Sequence, residues 1–203
     1  AGIRVEKVNW DGSLFTYLAP GLFIREVNTA YSQNTLIPAI QAQIEYARDQ
    51  GYVAWGLSDC YGNEDGGYVQ QGAPPTAMSG PTETAPGLVT PHASALALIT
   101  PQYTAAITNL QTLSDTFPLL YQSGFGFLDS VIVDPGDPNY GKTSHRYAAL
   151  DQEWIFLALA NARDGFLWQY FYRHPGVRQA HREMFDETWI FLPTLKTSER
   201  VVR

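Results

Sequence analysis

A chain of 203 residues makes one large domain or two small ones, and 45% hydrophobic against 16% charged residues excludes a disordered polymer. A net charge of -7 with only 13 Lys and Arg leaves no basic stripe for nucleic acid. The single cysteine, Cys60, excludes an intrachain disulfide and a cysteine-based zinc site, and no apolar run reaches membrane-spanning length.

Helical patterns dominate in chain order. From Asp11, Leu14, Phe15, Leu18 and Leu22 recur at helical spacing, with Pro20 expected to kink or restart the helix. Ile37, Ile40, Ile44 and Ala47 share one face of a second helix that Gly51 ends. Thr90 and Pro91 read as N-cap and first residue of a third helix, and Thr100 and Pro101 repeat that start for a fourth. "RYAALDQEWIFLALANARDG" is a long apolar helix. "GFLWQYFYRHPGVRQAHREMF" makes one or two more, broken near Pro175, and "ETWIFLPTLK" reads as a short strand or extended arm.

Strand signals are weak, so the class is mainly α. Residues 52–90 and 122–145 resist assignment. Structureless stretches of that length are usually functional, and two such loops separated by a helix pair can line one mouth. The aromatic content of 13% suits stacking on flat ligands, or simply an aromatic-rich core.

The acids are the candidate chemistry. Asp59, Glu64 and Asp65 lie in the first loop, and Asp129, Asp134 and Asp137 in the second. Asp134 and Asp137 sit in "DPGDP" and read as turn residues. Asp151 stands beside Leu150, Trp154, Ile155 and Leu157, where a carboxyl needs a partner or a task, or compensates the helix dipole. Two carboxyls in one cleft are the minimum for glycoside hydrolysis. Other constellations fail. There is no G-x-S-x-G elbow, and "GNEDGG" lacks the closing acid of an EF-hand loop. The histidines never come at i, i+4, and His174 and His181 read as surface residues. No metal site or cofactor is expected.

The ordered series "NWDGSLFTYLAP", "QAQIEYARDQGYVAWGLSDC", "GLVTPHASALALI", "GFGFLDSV" and "RYAALDQEWIFLALANARDGFLWQYF" resembles the glucoamylase-like family. That family includes bacterial endo-β-1,2-glucanases and the transglycosylation domain of cyclic β-1,2-glucan synthases. The resemblance implies a partial (α/α)6 toroid of helical hairpins, with long irregular loops at one end. Residues 1–203 would form a single domain corresponding to the C-terminal half of the family's own.

The resemblance further implies that Asp129, Asp151 and Asp11 are the carboxyls to examine for catalysis. Trp55, Tyr61, Tyr68 and Phe127 would meet sugar faces, and Asp59, Asn63, Glu64 and Gln152 would bind hydroxyls. Relatives carry Glu in the first motif where Thr16 stands here, and Thr is no carboxyl acid. The implied partner is an oligosaccharide or β-glucan, in the periplasm or outside the cell, with a second chain or copy covering an open toroid edge. Three functions follow: a glycoside hydrolase or transglycosylase, a glycan-binding or scaffold module without turnover, or a structural subunit that completes a toroid with a partner chain.

Overall fold

The computed structural model describes residues 2–62, 66–80 and 82–185. The proposed strand or arm in "ETWIFLPTLK" lies outside the described residues. The fold is mainly α, as expected. Among the described residues seven α-helices run in order: α1 (Leu14–Leu18), α2 (Ile37–Gln50), α3 (Pro91–Ala97), α4 (Tyr103–Thr116), α5 (Ala149–Asp164), α6 (Phe166–Phe171) and α7 (Pro175–Phe185).

Local chemistry sets most boundaries. α1 tightens into a 3-10 turn over Ala19–Leu22 at Pro20, which has no N–H to continue the α ladder. A π-turn over Ser32–Leu36 leads into α2, and Gly51 ends that helix in the left-handed conformation at φ 77°. α4 begins at Tyr103, two residues after Pro101, because the Thr100 hydroxyl is engaged with the Ala97 carbonyl and the Gln102 N–H. Thr90 precedes α3 as read, yet its side chain makes no capping bond and turns instead to His92 Nδ1 at 2.7 Å.

α3 is the hub. Every one of its residues from Pro91 to Ala97 is buried, and it packs against α1, α4 and α5. Its row of alanines allows that close approach on several sides. Leu14, Leu18, Ile40, Leu96, Trp168 and Tyr172 fill the main core around it. Burial of such side chains is the chief favourable contribution, about 1.5–3 kcal/mol for each large one. Trp168 also donates from Nε1 to the Gly21 carbonyl at 2.8 Å, and Asn161 Nδ2 donates to the Leu22 carbonyl at 2.8 Å, so α5 and α6 clamp the turn after α1.

The two long loops are not structureless; they pair. β1 (Cys60–Tyr61) and β2 (Tyr68–Val69) form a short hairpin, as do β4 (Tyr121–Gln122) and β5 (Gly126–Phe127). β3 (Leu88–Val89) pairs antiparallel with β6 (Val131–Ile132), with Leu88 opposite Ile132 and Val89 opposite Val131. That ladder ties the first loop to the second. Asp134 and Asp137 are turn residues as read, accepting the N–H groups of Gly136 and Asn139. Glu83 anchors the first loop to α2 by accepting hydroxyl bonds from Tyr46 and from Tyr52.

Gly72 crosses the 11–13 segment so closely that a Cβ there would lie 2.1 Å from the Gly12 carbonyl carbon, so only glycine fits. Gln43, buried on α2, seals the same region. Its Nε2 donates to the carbonyls of Gly12 and Leu57 at 3.0 and 2.8 Å, and its Oε1 accepts the Leu57 N–H at 2.8 Å. Gln43→Leu keeps the volume and orphans the Leu57 N–H. The expected loss is about 2–3 kcal/mol, read as a lower urea midpoint; a loss under about 0.5 kcal/mol would show that water replaces the amide.

Candidate active site

The second loop and the start of α5 bring two of the three catalytic candidates together. Asp129 follows β5 and is held by its backbone, whose N–H donates to the Arg146 carbonyl at 3.0 Å. Its Oδ2 accepts the Tyr61 N–H at 2.5 Å. Asp151 stands in the first turn of α5, where the helix dipole favours a carboxylate. The two carboxyls face each other, an oxygen of each within 4.8 Å of the other's and close enough to share a proton. Exposure is 2% for Asp129 and 8% for Asp151, so neither is bathed in water.

Burial pushes the Asp129 carboxyl up to about 8, helped by the hydrogen bond to Asp151 and by its charge. Asp151 is also raised by burial, but the bond from Asp129 pulls it back. Two acids in contact cannot both ionise cheaply, so the pair titrates as a unit holding one proton near neutral pH. The proton belongs mainly to Asp129.

His92, which sequence reasoning passed over, completes the group. Its Nδ1 lies 3.2 Å from Asp151 Oδ2, and the three side chains' donor atoms all fall within 4.8 Å of one another. The imidazole is fully buried, which lowers its pKa to about 4 despite Asp129 and Asp59, so it is neutral at pH 7. Trp154 packs edge-on against it at 5.3 Å and stacks on Phe15 at 5.1 Å. Such a trio has the donor types of a metal site. Here, however, Nδ1 is already engaged by the Thr90 hydroxyl at 2.7 Å and the carboxyls by each other, an arrangement that suits a shared proton. The signal in the sequence was a histidine inside the alanine-rich, uncharged helix "PHASALA".

The other candidates scatter. Asp11 is buried, but Oδ1 accepts the Ser13 N–H at 3.0 Å and Oδ2 receives Gln70 Nε2 at 3.3 Å. It serves the local turn and is not part of the trio. Thr16 is exposed on α1. Asp59 accepts the Gln71 N–H at 2.6 Å, and burial raises its pKa to about 6. Tyr61 and Tyr68 meet edge to face at 5.5 Å on the β1–β2 hairpin, with Tyr68 59% exposed, and Arg146 lies over the Tyr61 ring at 4.6 Å.

Phe127 is half-buried against Tyr121, and its carbonyl accepts Gln152 Nε2 at 2.7 Å. Gly126, at φ 88°, makes room for that Gln152 amide: a Cβ would sit 2.7 Å from its Oε1. The expectation for Trp55 requires correction. It is 7% exposed in the main core, and Asn109 binds both its N–H and its carbonyl, so it offers no face to a sugar. Asn63 and Glu64 lie outside the described residues. His181, read as a surface residue, is buried, with Nδ1 2.7 Å from the Tyr172 hydroxyl.

Residues 4–175 match the Glycoamylase family, described as "Putative glucoamylase". The chain belongs to that family. Among solved structures, a "putative glucoamylase" of Bacteroides uniformis is similar at TM-score 0.66 and 18% identity, over 91% of this chain and 47% of that one. An endo-β-1,2-glucanase of Chitinophaga pinensis, solved with sophorotriose and glucose, is similar at TM-score 0.64 and 19% identity, over 86% and 40%. A β-1,2-glucanase of Parabacteroides distasonis is similar at TM-score 0.63 and 18% identity, over 86% and 24%. No curated protein matches. The chain thus spans less than half the length of these relatives, and at such identities the likeness speaks for the Glycoamylase fold alone. Expectation and comparison agree on the family and on the mainly helical class.

Proposed function

We propose that this chain carries part of the catalytic centre of a glycoside hydrolase-like domain acting on a β-glucan, the class of substrate that its glucanase neighbours are named for. The observation that carries the reading is the hydrogen-bonded Asp129–Asp151 pair: a carboxyl held protonated near pH 7 is the general acid that glycosidic oxygen requires. Tyr61 and Tyr68 come from the first loop, Phe127 from the second and Gln152 from α5 beside Asp151, offering apolar faces and an amide for a sugar's two kinds of surface.

The pair is too close to be both carboxyls of a glycosidase. Retaining enzymes set theirs about 5–5.5 Å apart and inverting enzymes about 6.5–9.5 Å, whereas oxygens of these two lie within 4.8 Å and share a proton. They act as one acid, with Asp151 tuning Asp129. The opposing carboxylate comes from another element. Asp59 is the candidate among the described residues, and the part of the relatives' domain that this chain does not span is the other source. The same part accounts for the exposed apolar face of α5 and α6 at Leu150, Phe156, Leu159, Phe166 and Tyr170, which we assign to contact with helices equivalent to it. A glycan reached by such a domain belongs in the periplasm or outside the cell, and no helix among the described residues is long and apolar enough to cross a membrane.

The alternative, a glycan-binding module without turnover, is favoured by the exposed Thr16 and by the burial of the acid pair. One experiment separates them. Linear β-1,2-glucan is incubated with the protein, in whatever assembly light scattering shows. Released reducing ends and calorimetric binding are both recorded, with and without a chelator. Turnover indifferent to chelation supports the shared-proton acid. Binding without reducing ends supports the module. Neither signal removes the glucan from both readings.

A further inference from the structure

His92 sits at the head of a buried polar string that no turn or cap requires. Its Nε2 lies 3.1 Å from Ser58 Oγ, and Ser58 Oγ lies 2.9 Å from Ser13 Oγ. Ser58 Oγ also accepts the Phe15 N–H at 3.1 Å, and Ser13 Oγ accepts the Asp59 N–H at 3.3 Å. All three side chains are fully buried. The hydroxyl protons can run in two directions only. If Ser13 donates to Ser58 and Ser58 to Nε2, then Nε2 is bare and Nδ1 carries the imidazole proton. If the run is reversed, Nδ1 is bare: the Thr90 hydroxyl at 2.7 Å can donate to it, but a carboxylate oxygen of Asp151 still stands 3.2 Å from the same nitrogen, which is repulsive unless Asp151 is protonated.

The acid pair decides between them. Asp129 Oδ2 is satisfied by Tyr61, but Asp129 Oδ1 is buried without a hydrogen-bond donor. A carboxylate left so is costly. A proton on Oδ1, given to Asp151, removes that cost and leaves Asp151 as the ion. Asp151 then needs a second donor, and Nδ1–H lies 3.2 Å from its Oδ2, shared with the Thr90 hydroxyl oxygen at 2.7 Å.

We propose that His92 is a positioning residue, held by Ser58 and Ser13 as the Nδ1–H tautomer, which keeps Asp151 ionised and thereby leaves the pair's proton on Asp129. This rests on the reading of Asp129 as the acid for its catalytic meaning, but not for its geometry. The other titratable groups facing this cluster are Asp59, Cys60 and Tyr68, whose electrostatic influence reaches Asp129, Asp151 or His92, and Asp11, which acts on Asp59. Burial keeps Cys60 and Tyr68 neutral at pH 7, so neither competes for the donor.

The test starts from the unaltered full chain labelled with 15N-histidine. At pH 7, long-range proton–nitrogen spectra are expected to show His92 with a protonated Nδ1 and an unprotonated Nε2. An Nε2–H imidazole or an imidazolium overturns the proposal. Ser58→Ala, which takes the donor from Nε2, is expected to give a mixture of tautomers; an unchanged spectrum overturns the role of the string.

The second arm uses two substitutions whose amide nitrogens fall in different places. An Asn side chain puts its donor near Nδ1, a Gln side chain near Nε2. On linear β-1,2-glucan, His92→Gln is expected to lower kcat by about a hundredfold with KM within about twofold and to shift the alkaline limb of the pH profile, while His92→Asn stays within about tenfold of wild type. Equal loss in both, with an unshifted profile, means a merely structural histidine. A wild-type chain that never turns over glucan sinks the function reading and leaves the spectra to judge the tautomer.

Discussion

Asp129→Asn is expected to abolish turnover of β-glucan while the protein stays folded. The substitution preserves shape: the amide oxygen still accepts the Tyr61 N–H, and the amide nitrogen can donate to Asp151 where the carboxyl proton did. What it removes is a transferable proton, and loss of a general acid costs about 10²–10⁴-fold in kcat. The thermal midpoint at pH 7 is expected within a few degrees of wild type. Initial rates and a melting curve on the same preparation check both halves. Activity within threefold of wild type would remove Asp129 from the chemistry. A collapse of the midpoint would make the residue structural, and the acid would then have to be sought elsewhere.

Thermal stability is expected to fall as pH rises from 5.5 to 8.5, opposite to the usual trend for a protein rich in ionised carboxylates. Burial raises Asp129 to about 8, Glu26 to about 7 and Asp59 to about 6. Each folded value lies above the unfolded one. The folded state therefore retains protons that the unfolded chain has released, and the stability this contributes is complete below about pH 4 and lost through pH 6–8. His92 acts the other way. Its folded value of about 4 lies below 6.5, so its contribution is complete above pH 6.5 and declines as pH falls toward 4.

Three carboxyls against one imidazole leave the balance on the acid side. Discounted for partial solvent screening, the fall is on the order of 3 kcal/mol, or roughly 10 °C in midpoint for a chain of this size. Asp129→Asn is expected to flatten the curve above pH 7, since it deletes the group with the highest folded value. A midpoint that is level or rising between pH 5.5 and 8.5 would mean that water reaches these carboxyls in solution.

Helix positions were legible because their signals are local. The i, i+3, i+4 rows before Gly51 and along α5, and the breaks at Pro20 and Pro175, depend only on neighbours in the chain. Asp134 and Asp137 declared themselves as turn residues for the same reason. Trp55 shows the limit. A tryptophan in a glycine-bearing loop reads equally as a stacking surface or as core, and only packing in the main core, with Asn109 bonded to its backbone, buries it. His92 shows the reverse error: a polar residue in an apolar helix has no visible partner until Ser58, Asp151 and Thr90 arrive from three other segments.

By itself, then, the sequence determined the mainly helical class, the family through the order of its motifs, and the short list of carboxyls worth examining. These are properties of composition, period and local turn chemistry. The tertiary structure alone decided which carboxyls meet. Asp129 and Asp151 are separated by a loop and a strand, and Asp11 is a third candidate whose place depends on where its helix starts. β3–β6 pairing and the packing of α3 against α5 put two of them in contact, exclude water from both and leave Asp11 to cap a turn. Proton sharing depends on distance and desolvation, and neither quantity exists until the chain has folded.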